Sequence, residues 1–370
     1  MKVASTKFRL KLKKILYITL AWVILMNFQV VYDYLVVINF TNTPEIYNFW
    51  SIYFTNLAIT FIGGVLAGVF IINKVEPWLR KYSLWKVVGL LFSGYTILGF
   101  ILITIGSIIY QSVIYETSPF DSIVQKEVIL FLLGVDFLKF FVTWGLVFIA
   151  SAIGLMVYDQ YGPGNFRNLI LGKYFHPRTE QRIFMFLDIR SSTTIAEQLG
   201  DYQFFNFIHD FINDATDAIL YTRGEIYQYI GDEIVISWTI KNGISDANCI
   251  QCFFAIQKAI NESKDYYLNK YGILPEFKAG LHYGKVISGE IGTIKKEIAF
   301  SGDVLNTASR IQSECNKHQV NLLISDALLG LLPLTAEYEV NSIGNIQLRG
   351  KSEGIRLSTV LLRNPEFTSG

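Results

Sequence analysis

Residues 182–194 read RIFMFLDIRSSTT. An unbroken apolar run of strand length that ends in a carboxylate, Asp188, and opens into a hydroxyl-rich turn is the pattern of a buried strand delivering an acid to its exit. Arg182 to Ile189 is therefore expected as the first strand of an α/β region. Tyr202 to Tyr221 follows with helical periodicity. Glu225 to Tyr229 and Ile234 to Trp238 read as two strands around a Gly231-Asp232 hairpin turn. Ser245 to Tyr271 reads as a helix, and Phe277 to Leu281 and Lys285 to Ser288 as strands joined by a Gly-bearing turn. Leu305 to His318 is helical, and Asn321 to Ser325 and Ile355 to Leu362 are strands. The order β-α-β-β-α-β is that of a ferredoxin-like split βαβ unit, an α+β fold, with an added C-terminal piece.

Upstream of this region the character changes. Ile15 to Phe40, Phe49 to Asn73, Val87 to Tyr110 and Val128 to Tyr158 are apolar, each longer than the ~20 residues that cross a hydrocarbon core of about 30 Å. They predict a bundle of four transmembrane helices. The first is too long for a cleavable signal peptide and lacks a small-residue cleavage site. Lys2, Lys7, Arg9, Lys11, Lys13 and Lys14 precede the first span, and Lys74, Arg80, Lys81 and Lys86 lie between the second and third. The other two connections are acidic or nearly uncharged. That asymmetry puts both termini on the cytoplasmic side of the cell (inner) membrane, as a multi-pass protein. Asp33 and Asp136 stand inside the spans with Asn27, Gln29, Asn56 and Lys139. Asp136 and Lys139 are three apart on one helix, a spacing that allows a pair; such groups face the bundle interior or form a site. The expected domains are residues 1–158 in the membrane, 159–181 as a connector broken by Gly162-Pro163-Gly164, 182–363 as the cytoplasmic domain and 364–370 as a tail.

With 51% hydrophobic and only 17% charged residues, the chain is too apolar for an ordinary soluble protein, and the excess sits in the first 158 residues. A net charge of +1 offers no basic face for nucleic acid. Cys249, Cys252 and Cys315 are too few for a disulfide framework. The C-x-x-C formed by the first two falls within an amphipathic helix and is read as packing.

Asp188 at a strand end and Asp232 in the next hairpin are brought together by strand pairing. Two such carboxylates suit hard cations, Mg²⁺ or Mn²⁺, with phosphate oxygens and water completing the shell. Ser191, Ser192 and Thr193 open a helix whose N–H groups and hydroxyls form a phosphate cradle. A further helix carries Asn306 and Arg310 on one face, suited to charge building on a phosphoryl group.

Taken together, FMFLDIRSST, IYQYIGDEIVISW, GLHYGKVISGEIG and FSGDVLNTASRIQ resemble the catalytic homology domain of class III adenylate/guanylate cyclases, in that family's order, from about Arg182 to Leu362. The resemblance implies a head-to-tail homodimer whose active sites draw on both chains. It implies two metal ions per site on Asp188, Asp232 and the Ile189 carbonyl, phosphate contacts from Thr193 and Arg349, and Asn306 and Arg310 at the ribose and transition state. The implied reaction is attack of the ribose 3′-hydroxyl of a nucleoside triphosphate on its α-phosphate, releasing pyrophosphate. One metal ion would lower the pKa of the attacking hydroxyl and the other steady the leaving group, with no side-chain general base. Lys351 is an alternative to Arg349. His282 is read as structural. The Glu233 of Gly-Asp-Glu is shared with diguanylate cyclases, which lack the Asn306/Arg310 helix.

Two positions depart from the family pattern. Gln228 stands where adenylate cyclases carry a base-reading Lys, and Ala299 where they carry Asp, Thr or Ser. Gln both donates and accepts, and Ser301 is a nearby acceptor. The expected activity is conversion of ATP to cyclic AMP, with guanylate or pyrimidine nucleotide cyclase, or a non-catalytic receptor, as alternatives. The partners expected are the triphosphate, a second copy and the lipid bilayer.

Overall fold

The computed structural model describes residues 2–40, 49–75, 77–78, 82–161, 168, 171–294, 296–351 and 353–363. The chain divides into two compact units, residues 7–166 and residues 167–370, with residues 1–6 grouped in the second.

The first unit holds α1 (Lys2–Phe40) from residue 7 on, α2 (Phe49–Phe70, continued by the π-helical turn Ile71–Val75), α3 (Leu84–Ile114), α4 (Ser122–Leu133) and α5 (Val135–Tyr161). Among the described residues, four helical stretches are long and apolar enough to cross a membrane: Lys11–Val36, Phe49–Val75, Phe92–Ile114 and Phe137–Tyr158. The core gathers around Trp22, whose ring meets Trp144 edge-on at 5.6 Å and whose indole donates to Ser151 at 2.9 Å. The expected fourth stretch, Val128 to Tyr158, is not one helix. Gly134 adopts an extended conformation and separates α4 from α5. Lys139 meets Asp33 of α1 at 2.7 Å, and Gln29 donates to the same carboxylate at 2.9 Å; the ion pair therefore joins two helices. The Asp136 side chain, the Gly162-Pro163-Gly164 break and residues 364–370 lie outside the described part. Asn27 and Asn56 join in the interior, an amide donating to an amide oxygen at 3.4 Å.

The second unit runs β1 (Arg178–Ile189), α6 (Ser192–Leu199), α7 (Asp201–Tyr221), β2 (Glu225–Ile230), β3 (Glu233–Thr239), α8 (Ile240–Ile244), α9 (Asn248–Glu262), α10 (Lys264–Tyr271), β4 (Phe277–Ile291), β5 (Glu297–Ser301), α11 (Asp303–Glu314), β6 (Leu322–Ser325), α12 (Asp326–Leu329), β7 (Tyr338–Ile346) and β8 (Ile355–Leu362). The sheet order is β2-β3-β1-β4-β6-β8-β7, with β5 paired to β4 off this path. Its first four strands are the split βαβ arrangement, and the β4–β6 pairing is parallel. Alternation along β1 sends Ile183, Met185, Leu187 and Ile189 into the large core under α7 and α9. Phe184 and Phe186 go to the other face, into a smaller core with Val235, Val286, Val304 and Ala308.

Four readings need correction. The first strand begins at Arg178 rather than Arg182. The helix expected over Ser245 to Tyr271 is interrupted at Ser263, between α9 and α10. The helix expected to reach His318 ends at Glu314. Most consequential, Phe277 to Ser288 is one strand with no turn. Its glycines serve contact instead: a Cβ on Gly280 would stand 2.2 Å from the Gln312 backbone nitrogen, and one on Gly284 3.2 Å from Val304. Both face α11, which can approach the sheet only because these side chains are missing.

Candidate active site

Directly opposed residues of a ladder share a sheet face. Ile230 pairs with Glu233, Glu233 with Asp188, and Asp188 with Lys278, so one row crosses four strands. Asp188 lies at the open end of the smaller core. One of its oxygens accepts from Gln312 of α11 at 2.9 Å and meets the Lys278 ammonium at 3.3 Å. Asp232 sits on the β2–β3 hairpin after Gly231, whose φ of +63° suits a residue without Cβ. Burial, and then the neighbouring Asp232, raise the Asp188 pKa against the opposing pull of Lys278. Burial, followed by the charges of Asp188 and Asp232, pushes Glu233 up to about 7. One oxygen of Asp232 is buried with no hydrogen-bond partner. Three acids against one lysine, with a buried acceptor left open, is a donor set that fits a divalent cation. Among the described residues no group of three or more His, Cys, Asp or Glu converges on a point. A cation here would thus rest on two carboxylates and keep positions open for substrate oxygens.

The cradle follows at once. Ile189 ends β1 with its side chain in the large core. The Arg190 amide donates to Glu276 O at 2.8 Å. Its guanidinium donates to Asn321 at 2.9 Å, to Asn316 at 2.8 Å and to Val320 O at 2.6 Å. That clamp fixes the turn and removes Arg190 from any ligand. Ser191 takes the left-handed conformation at φ +54° and starts α6, at whose N-terminus Ser192 and Thr193 stand.

Helix α11 has two working faces. Val304, Thr307, Ala308, Ile311 and Gln312 are buried against the sheet, while Asn306 is exposed and Arg310 half-buried. The Arg310 guanidinium lies against Gly350, and Lys351 forms an ion pair with Asp303 at the start of the helix. The Lys351 hydrogen bond, aided by Arg310, holds Asp303 below the usual carboxylate range despite slight burial. Lys351 therefore belongs to the Arg310 cluster, whereas Arg349 is exposed. His282 is in β4, not in a turn; its Nδ1 is 2.8 Å from the Ser325 hydroxyl. Burial, then the charge of Lys351, pushes it down to about 4, which keeps it neutral. The chain thus presents two groups, Asp188/Asp232 with the α6 cradle and Asn306/Arg310 with Lys351, the second on the side of α11 turned away from the first.

Gln228 and Ala299 lie on strands that are not ladder neighbours. A β-bulge between Ile226 and Gln228 places Gln228 opposite Val235, on the Asp188 face. Ala299 pairs with Gly289. The adjacent residues meet: the Tyr227 and Phe300 rings are 4.8 Å apart, and the Phe300 amide donates to the Tyr227 hydroxyl at 3.2 Å.

Sequence reasoning missed Lys278, Gln312 and Arg182. Lys278 interrupts an otherwise apolar strand, and Gln312 lies two residues beyond Arg310 on the packed side of its helix. Both were visible as anomalies, but only the tertiary fold shows that they meet Asp188.

Residues 175–363 match the adenylate and guanylate cyclase catalytic domain, and the chain belongs to that family. It is 32% identical over 199 residues to adenylate cyclase 2 of Rhizobium meliloti (strain 1021), covering 54% of this chain and 55% of that protein. It is 28% identical over 189 residues to an adenylate cyclase of Anabaena cylindrica, covering 49% of this chain and 37% of that one. The chain thus spans about half or less of the length of these curated relatives. A solved structure of a bacterial light-regulated adenylyl cyclase superposes with a TM-score of 0.51 at 20% identity, over 59% of this chain and 63% of that one. That likeness concerns the fold.

Proposed function

We propose that this protein is a membrane-embedded class III cyclase that converts ATP to cyclic AMP and pyrophosphate at a homodimer interface. The observation that carries the reading is the charge-unbalanced Asp188/Asp232 pair with its unpartnered buried oxygen. Asp188 and Asp232 would hold the metal ions, Mg²⁺ or Mn²⁺, with the Ile189 carbonyl. The bound cations would activate the ribose 3′-hydroxyl and offset charge on the phosphates. Lys278 and Gln312 orient Asp188. Ser191, Ser192, Thr193 and the first amides of α6 receive phosphate oxygens, and Lys351 or Arg349 adds a cation. Asn306 orients the ribose and Arg310 stabilises charge in the transition state. Because α11 turns these two away from Asp188, they serve the site of a second copy, whose own Asp188 pair they face. Ile287, Ile291 and Ile294 on the β4–β5 arm are exposed apolar residues, in keeping with such a contact. The four apolar helices hold the chain in the membrane with both termini and the catalytic unit in the cytoplasm, where a connector transmits what the bundle senses.

With Gln228 and Ala299 at the base-reading positions, selectivity for GTP or a pyrimidine nucleotide is the second reading. Product identification with all four triphosphates and Mn²⁺ tests both. Cyclic AMP from wild type and none from Asp188→Asn is expected; no cyclic product from ATP overturns the adenylate reading. Gln228→Lys with Ala299→Asp should sharpen the preference for ATP.

A further inference from the structure

Arg182 is fully buried and takes no part in the chemistry above. Burying a guanidinium is costly unless it is paired, and an apolar side chain of similar volume often packs at least as well. Here it is elaborately paired. One nitrogen meets Glu180 at 3.4 Å. Another donates to Glu225, the first residue of β2, and to Ser237 of β3 at 3.1 Å. Its carbon lies 4.6 Å from the Phe300 ring centre. Glu180 is itself anchored by Lys173 at 2.9 Å.

The topology gives this cluster a task. Among the described residues β2 pairs with β3 and β5 with β4, so no ladder joins β2 to β5 directly, and the backbone path between Gln228 and Ala299 runs the long way through β3, β1 and β4. The direct link is made by side chains: Tyr227 against Phe300, and Arg182 holding the Phe300 ring on one side and the start of β2 on the other. A charged fork with fixed hydrogen-bond directions holds two strands at a set separation better than an apolar contact that slides.

We propose that Arg182 is a positioning residue for base selection, setting the gap between the two base-reading positions through Phe300 and Glu225. The proposal rests on the reading of Gln228 and Ala299 as the base edge of a cyclase. The test uses the full chain in detergent micelles, comparing wild type with Arg182→Lys, Arg182→Met and Phe300→Leu. For each, kcat and KM for ATP and GTP are measured, together with Kd for the fluorescent N-methylanthraniloyl derivatives of both nucleotides and the melting temperature. Arg182→Lys and Phe300→Leu should change the ATP-to-GTP ratio of kcat/KM by about fivefold or more, the worth of one misplaced hydrogen bond, through KM with kcat nearly unchanged. A ratio unchanged in folded Arg182→Lys and Phe300→Leu, with only the melting temperature lowered, would overturn it. If wild type forms no cyclic product, the cyclase reading fails, while the ratio of the two Kd values still decides whether Arg182 sets base preference. Loss of folding in Arg182→Met leaves the decision to the two milder variants.

Discussion

Arg182 and Asp188 stand on the same face of β1, separated by Phe184 and Phe186, and both are charged groups withdrawn from water. Around Arg182 the charges balance: two carboxylates, a hydroxyl and an aromatic ring meet one guanidinium, of which only Nε finds no hydrogen-bond partner among the described residues. Around Asp188 they do not. Asp232 and Glu233 crowd it, one lysine opposes them, and an Asp232 oxygen is left without a partner. The same strand thus carries a charge-balanced end, suited to hold geometry, and a charge-deficient end whose donor set suits a cationic ligand. Buried charge indicates a ligand site where its partners fail to balance it, and a framework where they do.

The strongest way to break this contrast is Asp232→Asn. Cyclase activity should fall at least ~10³-fold, about 4 kcal/mol of transition-state stabilisation. In metal-free buffer the melting temperature should rise, because a repulsion on Asp188 has been removed. A lower melting temperature in chelator would mean that the acids are balanced after all.

At the charge-balanced end the opposite is expected. Glu225→Gln leaves Arg182 buried with one carboxylate fewer and should cost about 3 kcal/mol in denaturant unfolding, the lower end of the range for broken buried pairs because Glu225 is partly exposed. An unchanged midpoint would remove the distinction between the two ends.

A third prediction concerns pH. The folded pKa of His282 is depressed to about 4 from 6.5, so between those values the unfolded chain binds a proton that the folded chain refuses. Its contribution is therefore complete above pH 6.5 and lost as pH falls towards 4, by about 3 kcal/mol in all, of which about 2 kcal/mol falls between pH 7 and pH 5. Urea titrations from pH 7 to pH 5 should show this slope in wild type and a shallower one in His282→Asn. Equal slopes would mean that burial does not hold the ring neutral.

The smallest effect belongs to the ion pair between α1 and α5. Asp33 and Lys139 are partly exposed within the bundle, with side chains 23% and 42% accessible. A double-mutant cycle with Asp33→Asn and Lys139→Met, read by SDS unfolding of the micellar protein, should give a coupling below ~1 kcal/mol. A much larger coupling would place a second balanced charge cluster beside that of Arg182.

The acids were legible because a carboxylate ending an apolar strand, and another in a Gly-Asp hairpin, conflict with burial unless they have work to do. Asn306 and Arg310 were legible because helical spacing puts them on one face. The glycines of GLHYG were misread as a turn: a missing side chain permits a tight turn and a close helix approach alike, and only the Gln312 backbone above Gly280 decides between them. The bulge at Ile226–Gln228 was illegible for a related reason. Alternation taken straight through would turn Gln228 away from Tyr227 and the Asp188 face. Lys278, Gln312 and Arg182 were missed because their importance lies in their partners, which are distant in sequence.

By itself the sequence determined the four apolar stretches, the order of the α+β unit and the choice of Asp188 and Asp232 as candidate site acids, since periodicity, length and charge are local properties of the chain. The tertiary structure alone decided that the Asp188 cluster is unbalanced and the Arg182 cluster balanced. It also decided that α11 turns Arg310 away from its own acids, and that Tyr227 and Phe300, beside Gln228 and Ala299, meet across strands with no direct ladder between them. These are matters of which distant residues meet, and charge balance inside a protein is a sum over neighbours in space.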